Sequence, residues 1–241
     1  MKLLFFIAVI FIVFFFMKMK ESFGNIPDTC ILLTTCVNIK TDYSSIKKGV
    51  DKSINTPEFR LKLYTDSINK WLKYTNFDIK IVESSDYPFN QYKSNPRVQV
   101  YSFKSDKTYT CKACPQTPYE AESILLAFKN MNLSRYDKII KVTGKYFLPN
   151  FEKYVNDIPN NAEIFFQNST SFNMQNSEFF GCKTKFLEEI MNLIFENSKK
   201  DMNFEQTLYS IKDKYKVYRF PPIKLDSPIQ RSGDGKVIIS L

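Results

Sequence analysis

Lys138-Ile-Ile-Lys-Val-Thr-Gly-Lys-Tyr-Phe147 is the stretch that decides the fold. Lys138 to Val142 is a short run with apolar, β-branched character, the pattern of a buried strand. Thr143-Gly144-Lys145 then closes it with small and charged residues. The same pattern recurs on both sides. Ile31-Leu-Leu-Thr-Thr-Cys-Val37 is a compact apolar run, Phe77 to Val82 alternates and ends in Glu83-Ser84-Ser85, and Val98 to Phe103 alternates again. Ala162 to Phe166 reads as a fifth strand, and Val217 to Phe220 as a late one stopped by Pro221.

Between the strands lie helices. From Glu58, the residues Leu61, Tyr64, Ile68, Trp71 and Leu72 recur at helical spacing. Pro118 opens a second helix, with Glu120 and Glu122 in the first turn where the dipole favours them. Phe186 to Phe195 is amphipathic, and Phe204 to Ile211 reads as a further helix. Residues 38–57 are polar and read as a loop. Strands alternating with helices predict an α/β domain with a mainly parallel sheet, whose chemistry sits at the carboxyl ends of its strands.

Composition narrows the chemistry. The chain has 241 residues, 34 Lys+Arg against 25 Asp+Glu, a net charge of +9 and no histidine. Without imidazole there is no Ser-His-Asp triad, Cys-His pair or His-ligated metal. With only 6 glycines, neither a P-loop nor a G-x-G-x-x-G fingerprint occurs. The positive charge fits anionic partners: nucleotide sugars, nucleic acid or acidic headgroups. No Arg-rich tract or nucleic-acid motif supports nucleic acid, and it is not expected as a partner. Cys111-Lys-Ala-Cys114 lacks a second pair for zinc and reads as a local disulfide or plain thiols; Cys30, Cys36 and Cys182 complete the set. Sequons at Asn132 and Asn168 matter only if the domain faces a lumen.

The amino terminus carries an uncharged apolar run, Leu3 to Met17, between Lys2 and Lys18. A small-residue cleavage site does not follow it, so residues 1–20 read as an uncleaved signal-anchor rather than a cleaved signal, with 21–29 as a short stem. The expected location is a membrane, held by a single pass, with a secreted or lumenal protein as the alternative. Flanking charges nearly cancel, so orientation is open.

At the strand ends, a carboxylate such as Glu83 can accept hydrogen bonds from a ribose or base; the alternative is an ordinary solvated turn. Lys141 and Lys145 bracket Thr143-Gly144, and two ammonium groups there could hold a diphosphate. Gly144 would let the backbone approach a ligand.

The order of these segments resembles a family of GT-A-type glycosyltransferases from bacterial surface-polysaccharide clusters and large DNA viruses. The resemblance rests on ILLTTCV at 31–37, Arg60 with LYTDSINKWL behind it, IVESS at 81–85, TPYEAESILLAF at 117–128, KIIKVTGKYFLPN at 138–150, NSEFFGCKTKFLEE at 176–189, VYRFPP and the late SGDG. Family members tend to carry Arg where Lys145 stands, and a Gly-rich segment ahead of the Glu at 120. The resemblance implies a GT-A-like single domain over residues 30–241 with a Rossmann-like mixed sheet, preceded by the N-terminal hydrophobic helix. It implies that Thr34, Thr35, Glu83 and Ser84 line a nucleoside pocket, with Arg60 reaching that pocket or the phosphates. Most GT-A enzymes bridge the diphosphate with a metal held by Asp-x-Asp at the fourth strand's end. This chain has no Asp-x-Asp, and Lys-Val-Thr-Gly-Lys stands there.

The expectation is therefore metal-independent transfer without a cofactor. Lys141, Lys145 and Arg231 stabilise the departing nucleotide, and Glu120, Thr143 and Gly144 belong to the same donor site. Glu178, between the fifth strand and the next helix, is the candidate base for an acceptor hydroxyl, against a helix-capping or ion-pairing role. Phe179, Phe180, Trp71 and Tyr146 read most simply as core. The partners expected are a nucleotide-sugar donor and a glycan, glycoprotein or glycolipid acceptor. The alternative is a catalytically inactive relative serving as a binding or scaffold protein.

Overall fold

In this computed structural model, residues 28–38, 56–105, 108–109, 116–168, 170–171, 173–230 and 237–241 are described. The N-terminal hydrophobic segment with its stem, most of the polar stretch after residue 38, the Cys111–Cys114 pair and Arg231 lie outside them. Among the described residues no helix is long and apolar enough to cross a membrane.

β1 (Thr29–Thr35) is flanked by β2 (Asp78–Glu83) and β4 (Lys138–Thr143), both parallel to it, and β2 pairs in parallel with β3 (Val98–Ser102). β8 (Phe179–Lys183) runs antiparallel between β4 and β5 (Ile164–Phe166), and β9 (Val217–Arg219) pairs in parallel with β5. The sheet order is β3-β2-β1-β4-β8-β5-β9, so β8 is the one strand of this sheet that runs backward. The mainly parallel mixed sheet is as expected.

Helices cover both faces. On one face α1 (Pro57–Tyr74) and the short α3 (Phe151–Asn156) pack on the side chains of Ile31, Leu33, Ile79, Ile140, Val142 and Phe179. On the other, α2 (Thr117–Asn130), α4 (Thr184–Ser198) and α5 (Phe204–Ser210) cover Leu32, Val82, Ile139, Ile164 and Phe180. Alternation along each strand sends neighbours to opposite cores. Burying both faces is what the near-continuous apolar runs of the sequence encode. Trp71 and Tyr146 are core residues, 0% and 1% exposed.

Local chemistry sets the element ends. Thr56 caps α1 by accepting from the Phe59 N–H, ahead of Pro57 and Glu58. Asn203 and Gln206 form a reciprocal capping box on α5. Two small antiparallel pairs lie outside the main sheet: β6 (Thr170–Ser171) with β7 (Met174–Gln175), and β10 (Lys224–Gln230) with β11 (Val237–Ser240).

The sequence reading has no strand between the fifth strand and the helix of Phe186 to Phe195. The structure inserts β8 first. Its apolar pair Phe179-Phe180 and small Gly181 carry too short a signal to separate a strand from a helix start. At Gly181 an added Cβ would stand 2.9 Å from the Ile139 carbonyl, so the position admits no side chain between β4 and β5.

Candidate functional site

β1 and β4 are neighbours, yet the chain leaves β1 for β2 on one side and returns to β4 on the other. The crevice outside the carboxyl ends of such a strand pair is where open α/β sheets bind ligands. Thr34, Thr35, Thr143, Gly144 and Lys145 come together there, with Glu120 entering from the first turn of α2.

β1 and β4 meet closely at this end. The Gly144 N–H donates to the Thr34 carbonyl at 2.9 Å, and a Cβ on Gly144 would run into Thr35 and Thr34. The missing side chain was expected to make room for a ligand; the structure gives that room to β1. The turn beyond is fixed from α1: Ser67 Oγ and Trp71 Nε1 both donate to the Tyr146 carbonyl, at 2.8 and 3.0 Å. Lys145 is half-buried, its ammonium 5.4 Å from the Tyr146 ring centre.

Lys141, expected beside the diphosphate, points inward. Alternation on β4 sends its side chain toward α2 and α5, where it is 1% exposed. Its ammonium pairs with Glu120 Oε1 at 2.5 Å and donates to the Ser177 carbonyl at 2.9 Å and to Thr143 Oγ1 at 3.2 Å. The Phe204 ring lies 5.7 Å away. Thr34 Oγ1 also donates to Glu120 Oε1, at 3.4 Å. Lys141 thus ties β4, α2 and the start of β8 into the floor of the crevice.

Glu83, expected on the nucleoside, is likewise turned inward. Fully buried, it accepts from the Val37 N–H and Ser85 Oγ on one oxygen, and from the Ser85 and Tyr87 N–H groups on the other. Four donors at 2.6–2.8 Å make it the strut that shapes the loops after β1 and β2. Ser84 donates from both its N–H and Oγ to the Thr35 carbonyl, joining those loops.

Arg60 reaches over from α1. Its Nε donates to the Cys36 carbonyl at 2.6 Å and its Nη2 to Tyr64 Oη at 2.5 Å. Burial pushes the Tyr64 phenol up to about 12, against the pull of Arg60, so it stays protonated. Burial also raises the Cys36 thiol. Arg60 therefore sits beside the β1 end, held by the Cys36 carbonyl and the Tyr64 hydroxyl.

Glu178 closes the other side. Because β8 runs backward, its first residues lie at the carboxyl ends of β4 and β5, and the Glu178 carbonyl accepts from the Thr143 N–H at 2.8 Å. The Glu178 side chain, 8% exposed, accepts from Gln167 Nε2 at 2.9 Å. Neighbouring Ser177 donates to Glu205 at the start of α5, at 2.6 Å. Sequence reasoning missed Gln167, Ser177 and Glu205, since isolated polar residues in a loop carry no pattern. A separate groove of about 330 Å³ on the β3 edge, lined by Pro88, Lys93, Val98, Gln99, Val100 and Ser102, contains none of the candidate residues.

No family model matches the sequence, and no curated protein does. Among solved structures, a candidate nucleotide-diphospho-sugar transferase from Desulfovibrio desulfuricans G20 superposes with a TM-score of 0.51 at 12% identity, over 81% of this chain and 80% of that one. The two proteins share one fold. A cytidylyltransferase from Leptospira borgpetersenii serovar Hardjo-bovis aligns with a TM-score of 0.49 at 13% identity, over 81% and 76% of the two chains. A glycosyltransferase involved in glycosylation of the major capsid of PBCV-1 aligns with a TM-score of 0.46 at 7% identity, over 79% and 82%. In this chain the β1–β4 crevice and Glu178 lie at the same end of one sheet.

Proposed function

We propose that this chain is a glycosyltransferase that moves a sugar from a nucleotide-sugar donor to a hydroxyl of a glycan, glycoprotein or lipid-linked acceptor. One observation carries the reading: Glu178 and the Thr143-Gly144-Lys145 turn share an edge, joined by the Glu178–Thr143 backbone hydrogen bond of 2.8 Å. The residue bearing the candidate base thus stands beside the place where an open α/β sheet takes a nucleotide.

In this reading Thr34, Ser84 and Arg60 face the nucleotide, while Glu83 and Thr35, whose hydroxyl donates to the Val82 carbonyl at 3.2 Å, shape their loops. Lys145 stabilises the departing diphosphate, with Arg231 assigned to the same task. Lys141 acts one step removed, by holding Glu120 and Thr143. The acceptor hydroxyl gives its proton to Glu178, its oxygen bonds the anomeric carbon, and the bond to the diphosphate breaks with its electron pair leaving on the nucleotide. In this reading the end of β4 uses no divalent cation. Its carboxylate, Glu120, is already paired with Lys141, and no cluster of three acidic, Cys or His groups occurs among the described residues. Transfer is proposed to run on ammonium and guanidinium groups instead. Anchoring through Leu3 to Met17 belongs to the same proposal.

The test is a thermal-shift and hydrolysis screen against UDP-glucose, UDP-galactose, UDP-N-acetylglucosamine and GDP-mannose, with and without EDTA. The enzyme reading expects stabilisation by at least one donor and release of nucleoside diphosphate unaffected by EDTA. Glu178→Gln should lower turnover about 10²-fold or more while leaving the donor shift intact. Lys145→Ala should lower it about tenfold or more. A second reading, a binding or scaffold protein, draws on the inward pairing of Lys141, Glu120 and Glu83. It predicts donor binding without turnover, and no shift with any donor removes the nucleotide-sugar assignment altogether.

A further inference from the structure

Beneath Glu178 lies a polar chain that the proposed reaction does not by itself require. Gln167, directly after β5, and Gln175, on β7, are both 0% exposed. Gln167 Nε2 donates to Glu178 Oε2 at 2.9 Å, and Gln167 Oε1 accepts from the Phe179 N–H at 2.9 Å. A main-chain N–H can only donate, so the atom facing it is the amide oxygen. The amide nitrogen then has to face the carboxylate. The orientation of Gln167 follows from its partners rather than from a choice between two similar ends.

The next link obeys the same logic. Arg219 on β9 donates from Nη1 to Gln175 Oε1. A guanidinium carries donors only, so the Gln175 oxygen faces it and the Gln175 nitrogen faces away. That nitrogen donates to the Gln167 carbonyl at 2.9 Å and to the Asn176 carbonyl at 3.3 Å. Arg219, Gln175, Gln167 and Glu178 therefore form a one-directional series of donors ending on a carboxylate oxygen. Four segments contribute: β9, β7, the residue after β5 and the residue before β8.

We propose that Gln167 is the positioning residue that holds Glu178 as an ionised base, an inference that rests on the assignment of Glu178 to the acceptor hydroxyl. An N–H donor on a carboxylate favours its charged form and fixes its plane. A protonated Glu178 would still accept from Gln167 through its carbonyl oxygen, but more weakly than the ionised carboxylate does. Charged groups on the elements packed around this one are Lys141 on β4, Glu205 on α5 and Arg219 on β9. Arg219 acts at the far end of the series, and Lys141 and Glu205 meet it through the Ser177 backbone and side chain.

The experiment measures the pH profile of nucleoside diphosphate release from the donor panel above, in the full chain and in Gln167→Leu, Gln167→Glu and Glu178→Gln. Gln167→Leu removes the donor, so the acid limb should move up by about one pH unit and turnover near neutrality should fall about tenfold. The donor-induced thermal shift should stay as it was. Gln167→Glu keeps the shape and still accepts from Phe179, so it guards against simple misfolding. Two carboxyls then share a site, one proton is held to higher pH, and the limb should again rise. An unmoved limb in both folded variants overturns the positioning role, as does loss of folding in both. Full turnover in Glu178→Gln overturns the base assignment instead, and this inference falls with it. Release from no donor by the unaltered chain removes the enzyme reading on which both stand.

Discussion

A methyl group on Gly144 would stand 2.5 Å from Thr35 Cγ2, 2.9 Å from the Thr34 carbonyl and 3.2 Å from the Tyr64 ring. Relief would need the strand ends to part. Gly144→Ala should therefore cost about 1–3 kcal/mol in urea unfolding. Adding Thr35→Ser removes the nearest methyl but leaves the carbonyl, so recovery should be partial; complete recovery would show that the backbone contact is soft. Lys80 is the other telling residue. It is 6% exposed, donates to Gln99 Oε1 at 3.0 Å and lies 5.5 Å from the Tyr136 ring. Burial, then the Arg135 charge, holds its ammonium below the ordinary lysine value, against Asp78 and Cys30. Between the lowered and the ordinary value the unfolded chain binds more protons, so stability rises with pH. Relative to Lys80→Met, the unaltered protein should gain stability as the pH rises toward the ordinary lysine value. An unfolding series at fixed ionic strength that shows no such gain would contradict this. Neither residue was legible from the sequence: a lysine in an apolar run looks like a surface position until its neighbours are known.

Elements were more legible than contacts. The strands around Ile31, Phe77, Val98 and Lys138 and the helices after Pro57 and from Pro118 follow from periodicity and, for the second helix, from its proline and acidic first turn. β8 did not, because its strand character comes from being wedged between β4 and β5. The Lys141–Glu120 pair, joining β4 to α2, shows the same limit. Sequence put both residues at the site but could not tell that they answer each other. The two ends of the pair are unequal, with the Lys141 side chain 1% exposed and that of Glu120 26%. Glu120→Leu strands an ammonium in the interior and should cost about 3 kcal/mol or more. Lys141→Met leaves a carboxylate that water still reaches, and should cost clearly less. Chemical denaturation of both variants and the double variant checks the order, and equal losses would contradict it.

At the level of the whole molecule, two packed faces and a crossover point place the candidate residues without any one motif naming them. Thr34, Thr35 and Thr143 were readable as strand ends because an α/β sheet uses those ends. The burial of Glu83 and Lys141 was not readable, because the same residue type at a strand end serves a ligand or a loop according to which donors fold around it. The single backward strand has a further consequence. Everything from Gln167 to Ser177 is a detour between two strands that are already pinned, β5 behind and β8 ahead, while the β1–β4 end is assembled from other parts of the chain. Lengthening or rewriting that detour would alter what approaches Glu178 and leave the opposite wall as it is. In the proposed enzyme, choice of recipient and choice of fuel could thus drift apart over generations without disturbing each other.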